Sequence, residues 1–199
     1  MQAQQNRDRV LAVASRLFIA QGYSATSIDQ IAAEAGLSVR TVFAGFTSKI
    51  NLLKHVVDTA IVGDSDEVPL HQRPSMRAVH DASTADEAYE RLADTFVEVA
   101  ERVYAIYAVV HGAAAADRDI AELERRLDAQ RLTGVQYLAA TFAERLAITD
   151  PAATVYIGDT LWTLGSPLQY RLLVQQRGWS SQQYRDWMAR ALAAMVPPP

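Results

Sequence analysis

Cysteine is absent from the 199 residues, which rules out a disulfide framework and a thiolate metal site and suits a reducing compartment. Long apolar runs are missing too. The longest nearly uncharged stretch, Val103 to Ala116, contains His111 and falls short of the roughly 20 residues that a membrane span requires. The opening MQAQQNRDRV lacks the apolar core of a signal peptide, so the expectation is a cytoplasmic protein with no membrane partner. His55, His71, His80 and His111 include no pair at i, i+4 spacing, and no metal is expected. Neither G-x-S-x-G nor a glycine-rich phosphate loop occurs, so the expectation is a non-enzyme without a cofactor. The carboxylates of DEAYE (86–90) and DIAELE (119–124) fit helix starts, where they favour the dipole.

What remains is an ordered composition, 50% hydrophobic and 21% charged, with a net charge of −4. The charge divides unevenly. Residues 1–62 hold six basic and four acidic groups, a balance of +2, whereas residues 63–199 hold 13 and 19, a balance of −6. Such asymmetry allows an N-terminal module to face phosphates while the remainder keeps the chain in solution.

Strand signals are scarce, and apolar residues recur three and four apart along nearly every long segment, which predicts an all-α fold. A first helix runs from about Arg7 to Gln21 with Val10, Ala14, Leu17 and Phe18 on one stripe. The second starts at Thr26 or Ser27, where Ser27 and Gln30 fit a capping box, and stops at Gly36. The third takes Ser38 as N-cap and reaches about Phe46. A fourth turns Ile50, Leu53, Val57 and Ile61 inward. Residues 63–75, rich in turn-formers, are the expected join between a domain of residues 1–62 and a helical domain of residues 63–199. Beyond it the pattern predicts longer helices, from about Tyr89 to Gly112 and Arg118 to Leu146, then others after Pro151, Pro167 and Ser180 or Ser181. The terminal PPP (197–199) is expected to be a frayed end.

One stretch stands out: GLSVRTVFAGFTSK, residues 36–49. Two helices joined by the short turn AGLS match a helix-turn-helix plan. Gly36 tolerates positive φ, Leu37 can drop beneath the turn, and Ser38 can cap the next helix. Its first residues would enter the major groove: Arg40 to guanine or phosphate, Thr41 to a polar edge or a thymine methyl, Val39 by apolar contact. Thr26 or Ser27 and Lys49, at helix starts, are candidate phosphate clamps.

Residues 8–57 resemble the N-terminal domain of the TetR family of bacterial regulators. The likeness is carried by LFIAQGY, ATSIDQIAAEAGLS and VFAGFTSKINLL, kept without insertion. It implies a homodimer that presents its third helices to a palindromic double-stranded operator and binds a small-molecule effector in its C-terminal domain, most often as a repressor. The family's DNA-facing positions fall on Thr26 or Ser27, Ser38, Val39, Arg40, Thr41, Phe43, Gly45 and Lys49. Phe43 departs from the usual tyrosine, and Gly45 from the frequent tyrosine or histidine; each loses a polar contact.

For the effector, Tyr104, Tyr107 and His111 share one helix face, with Gln130, Arg131, Tyr137 and Trp162 as further candidate walls and polar fixtures. For the dimer, Val155 and Trp162 on one helix and Trp187, Met188, Leu192 and Met195 on another exceed what a solvent-facing surface needs, which suggests a four-helix interface. The alternative reading is a helical small-molecule-binding or enzymatic protein whose N-terminal module no longer reads DNA.

Overall fold

A computed structural model describes residues 2–64, 68 and 70–195. The terminal PPP and residues 65–67 and 69 of the expected join lie outside the described residues. Among those described, ordered structure is entirely helical: α1 (Gln2–Gln21), α2 (Ile28–Ala35), α3 (Val39–Phe46), α4 (Lys49–Val62), α5 (Pro74–His80), α6 (Ala85–Ala114), α7 (Arg118–Arg145), α8 (Pro151–Leu164), α9 (Pro167–Tyr170) and α10 (Ser181–Ala193), with a 3-10 turn at Leu70–Gln72 and a π-helical segment at Arg171–Gln176.

The chain divides into two compact units, Met1–Asp66 with Ala105–Arg126, and Glu67–Tyr104 with Leu127–Pro199. The first unit therefore takes the end of α6 and the start of α7 in addition to the N-terminal helices. In that unit, α1 buries Val10, Leu11, Ala14, Leu17 and Phe18, a stripe at three- and four-residue spacing. Helix α1 begins at Gln2 rather than near Arg7, because the polar lead-in contains no breaker. Helix α4 buries Leu52, Leu53, Val56 and Val57. Ile50 and Ile61, expected inward, are only half-buried. Ile50 instead lines a cavity of about 380 Å³ together with Asn51, Lys54, Asp119, Glu122, Leu123 and Arg126.

Helix α5 begins at the last two residues of the expected join and runs beyond it. Pro74 occupies its first turn, where a missing N–H costs no hydrogen bond, and only Met76 and Val79 are buried. Two buried apolar residues over seven are too few for periodicity to announce. Helix α6 starts four residues before Tyr89 because Thr84 and Glu87 cap it: the Glu87 N–H donates to Thr84 Oγ1 at 3.1 Å, and the Ser83 N–H donates to Glu87 Oε2 at 2.6 Å. It runs through Gly112 without ending there. At the start of α7, Asp117 Oδ1 accepts from the Asp119 and Ile120 N–H groups at 2.9 and 3.2 Å.

The second unit packs α5, α8, α10 and its parts of α6 and α7 around Leu92, Leu138, Ile157, Leu161, Tyr184 and Met188. Tyr89 stacks on Phe142 with ring centroids 5.4 Å apart. Arg185 of α10 ties this core to α6 through Asp94, at 2.7 Å, and Glu90. Met188, Leu192 and Met195, expected at a dimer surface, are buried within this core. On α8, by contrast, Val155 and Tyr156 are 62% and 55% exposed, and Tyr137, Leu168 and Leu172 are also exposed in this unit.

Candidate nucleic-acid interface

The corner between α2 and α3 is built from local signals. Ser27 caps α2 by accepting from the Gln30 N–H at 3.1 Å. The Gln30 side chain does not complete the expected capping box; its Oε1 accepts from Gln21 Nε2 at 2.8 Å, tying α2 to the end of α1. Gly36 closes α2 in the left-handed region, φ 66°. There the Leu37 N–H donates to the Ala32 carbonyl at 2.9 Å, satisfying an orphan acceptor of the last turn. Ser38 then opens α3, its hydroxyl accepting from the Thr41 N–H at 3.1 Å and lying 2.8 Å from Thr41 Oγ1.

Only Val42 and Phe46 of α3 are buried. Arg40, Thr41, Phe43, Ala44 and Gly45 are exposed, and Val39 is half-buried. At 100° per residue, Ala44 sits opposite the buried pair, flanked by Arg40 and Thr41. Ala44 was not among the residues singled out from the sequence, although its place on the helical wheel would have found it. At the far end of α3, Thr47 holds a positive φ of 58°. Strain of this kind in a β-branched residue marks a tightly determined turn into α4.

The cations of the N-terminal module are mostly engaged. Arg7 meets His55 Nδ1 at 3.1 Å and lies 4.9 Å over the Phe46 ring. Arg9 donates to the Ala35 carbonyl at 3.3 Å, Arg16 pairs with Glu34, and Lys54 pairs with Asp58 at 2.6 Å. Lys49 Nζ donates to the Tyr23 and Thr26 carbonyls at 2.8 and 2.9 Å and sits 4.1 Å above the Tyr23 ring. Burial holds its pKa below the usual lysine value, with Asp117 opposing the shift. Tyr23 in turn is pushed up to about 12 by burial, reinforced by Asp117 and Asp119. Burial, then the neighbouring Arg7, also lowers the His55 pKa. Arg40 is the one cation of residues 1–62 with no hydrogen bond or ion pair among the described residues.

The expected DNA-facing residues thus divide. Ser27, Ser38, Arg40, Thr41, Phe43 and Gly45 share exposure around the corner. Thr26 is turned inward at 1% exposure; its hydroxyl donates to the Gly22 carbonyl at 2.8 Å and accepts from Gln21 Nε2 at 3.2 Å. Lys49 braces the α1–α2 turn. Neither arrangement was visible in sequence, because both partners are supplied by a neighbouring turn.

The expected effector residues fall in both units. In the first, Tyr107 is half-buried and His111 Nδ1 meets Glu124 Oε1 at 2.8 Å. In the second, Arg131 lies 4.3 Å over the Trp162 ring, donates to the Trp162 carbonyl and reaches Asp128 at 3.5 Å. Trp162 Nε1 is buried with no hydrogen-bond acceptor among the described residues. Tyr104 packs on Tyr170 at 5.2 Å, and Tyr170 on Tyr184 at the same distance; neither of those two partners was anticipated. Gln130 is exposed, and Tyr137, 58% exposed, has only His71 and His80 as ring neighbours among the described residues.

The family model for bacterial regulatory proteins of the TetR type matches residues 10–56. No curated protein is found as a sequence relative. Among solved structures, the chain is similar to a Rhodococcus protein assigned to the TetR-family transcriptional regulators, with TM-score 0.69, 16% identity and coverage of 99% of this chain and 100% of that one. It is also similar to a transcriptional regulator from Aquifex aeolicus, with TM-score 0.62, 16% identity and coverage of 94% and 98%. A third is MexZ, a repressor responsible for antibiotic resistance in Pseudomonas aeruginosa, with TM-score 0.62, 18% identity and coverage of 98% and 97%. At these identities the likeness establishes the fold.

Proposed function

This chain belongs to the TetR family of bacterial regulatory proteins through its N-terminal domain, and from that premise we propose that it is a repressor that binds a palindromic DNA operator as a homodimer and releases it on binding a small molecule. The observation that carries the reading is the exposed amino end of α3, where Arg40 stands without an internal partner while five neighbouring cations are engaged. A side chain with five fixed donors at that place suits guanine O6 and N7. The Ser27 and Ser38 hydroxyls, with the remaining N–H groups of the first turns they open, suit phosphate oxygens and fix register without reading sequence.

Each α3 offers few base contacts, so the proposal requires two of them about 34–36 Å apart. The outward Val155 and Tyr156 of α8 support a self-complementary contact. For the effector, the buried Trp162 N–H without an acceptor supports a molecule that brings an oxygen acceptor, since an unsatisfied buried donor costs about 1–3 kcal/mol. An effector favouring a spacing unsuited to the operator must weaken the DNA complex by its differential affinity.

DNase footprinting on the gene's own upstream region, repeated at several salt concentrations, tests the reading. A protected two-fold symmetric segment with a steep loss of affinity in salt is expected. Absence of protection at low salt would favour a helical binding protein that has lost its DNA role.

A further inference from the structure

The exposed face of α3 is chemically unusual for a surface that meets a polyanion. Its eight residues, VRTVFAGF, contain no carboxylate and one cation. The Thr41 hydroxyl already lies 2.8 Å from the Ser38 hydroxyl, and Ala44 and Gly45 add no polar group. Phe43 adds a large ring that is 45% exposed. Folding does not account for that ring: the inward positions of the helix are filled by Val42 and Phe46, and Phe43 has no aromatic or cationic partner among the described residues.

Helical side chains lean toward the N-terminus, and residues three apart are neighbours. The Phe43 ring therefore lies over the turn that carries Arg40, at the end of the helix directed to base edges. A phenyl ring can neither donate nor accept a conventional hydrogen bond. In the major groove, the group it matches is the C5-methyl of thymine, an apolar feature that separates T·A from the other pairs.

We propose that Phe43 is a specificity-determining residue that reads a thymine methyl beside the base taken by Arg40; this rests on the operator-binding reading above. The half-site then carries a guanine with a thymine one or two steps away. Sequence choice comes from one charged fork and one apolar wall, with Ala44 and Gly45 leaving room for the duplex to approach. The open space around Gly45, where an added Cβ would meet nothing within 4 Å, keeps that approach unobstructed.

The experiment begins with selection from a random duplex library using the full-length protein, followed by binding titrations on the enriched duplex with each thymine replaced in turn by deoxyuridine. The substitution removes a single methyl and leaves base pairing intact. At one position per half-site, wild-type affinity is expected to fall about fourfold, the worth of one buried methyl. Phe43→Ala, a change at an exposed site, is expected to bind the thymine and uracil duplexes alike. Wild-type binding unchanged by uracil at every position overturns the inference, as does a Phe43→Ala protein that keeps the full thymine preference. Failure to enrich any sequence overturns the operator-binding reading itself, a result distinct from enrichment without methyl dependence.

Discussion

Gly36 is the residue on which the recognition corner turns. Its φ of 66° lies where an L-residue is penalised, yet an added Cβ would meet no atom within 4 Å, so the penalty for a side chain is conformational alone. Gly36→Ala is expected to destabilise the protein by about 1–2 kcal/mol and to lower Tm by several degrees in thermal melting; an unchanged Tm would mean that the corner relaxes. Tyr23 gives a pH-dependent counterpart. Its folded pKa of about 12 stands above the ordinary 10.0, so the folded state holds the proton more tightly, and that contribution is intact below pH 10 and lost as pH rises toward 12. Lys49 acts in the opposite sense, because its lowered pKa adds stability as pH climbs toward the unfolded lysine value. Tyr89, Tyr170 and Tyr184 are also raised by burial and share the alkaline loss. Tyr23→Phe is expected to make the fall of Tm between pH 10 and 12 shallower than in the wild type. Parallel curves would place the titration elsewhere.

At the scale of elements, α3 is held by caps at its start and a strained turn at its end, with Gly45 inside it. A glycine in a helix interior is about 1 kcal/mol less favourable than alanine, and the space around Gly45 is open. Gly45→Ala is expected to raise stability by roughly that amount in denaturant unfolding, and a loss would show that the position needs glycine's backbone freedom. Such features were legible in sequence where the signal is local. Ser27, Gly36 and Ser38 each act within four residues of themselves, and the sequence placed them correctly as caps and turn. Helix α5 was not legible, since its stability comes from burying Met76 and Val79 rather than from a stripe of its own. The carbonyls that hold Lys49 lie more than twenty residues away in the chain, and no periodicity encodes such a partner. Shared face on one helix does not decide what packs against it, and Gln130 and Tyr137 are exposed while Arg131 folds onto Trp162.

For the whole molecule, the proposed function depends on two copies. The apolar residues of α10 are consumed in the monomer core, so the self-association surface is expected on α8. Charging it by Val155→Glu with Tyr156→Glu should leave helix content intact and shift the protein from dimer to monomer in sedimentation velocity. A dimer that persists at the same concentration would assign the interface to another face. The monomer should also bind operator far more weakly, because the two half-sites are then engaged independently and the second contact is no longer intramolecular.

The proposed function rests on base-edge readout by Arg40 at the amino end of α3. Fluorescence anisotropy with the selected operator and with an unrelated duplex, comparing wild type and Arg40→Ala at fixed salt, tests it most directly. The expected result is a loss of about 1–3 kcal/mol on the operator with little change on the unrelated duplex. Equal losses on both duplexes, or none on either, would contradict it.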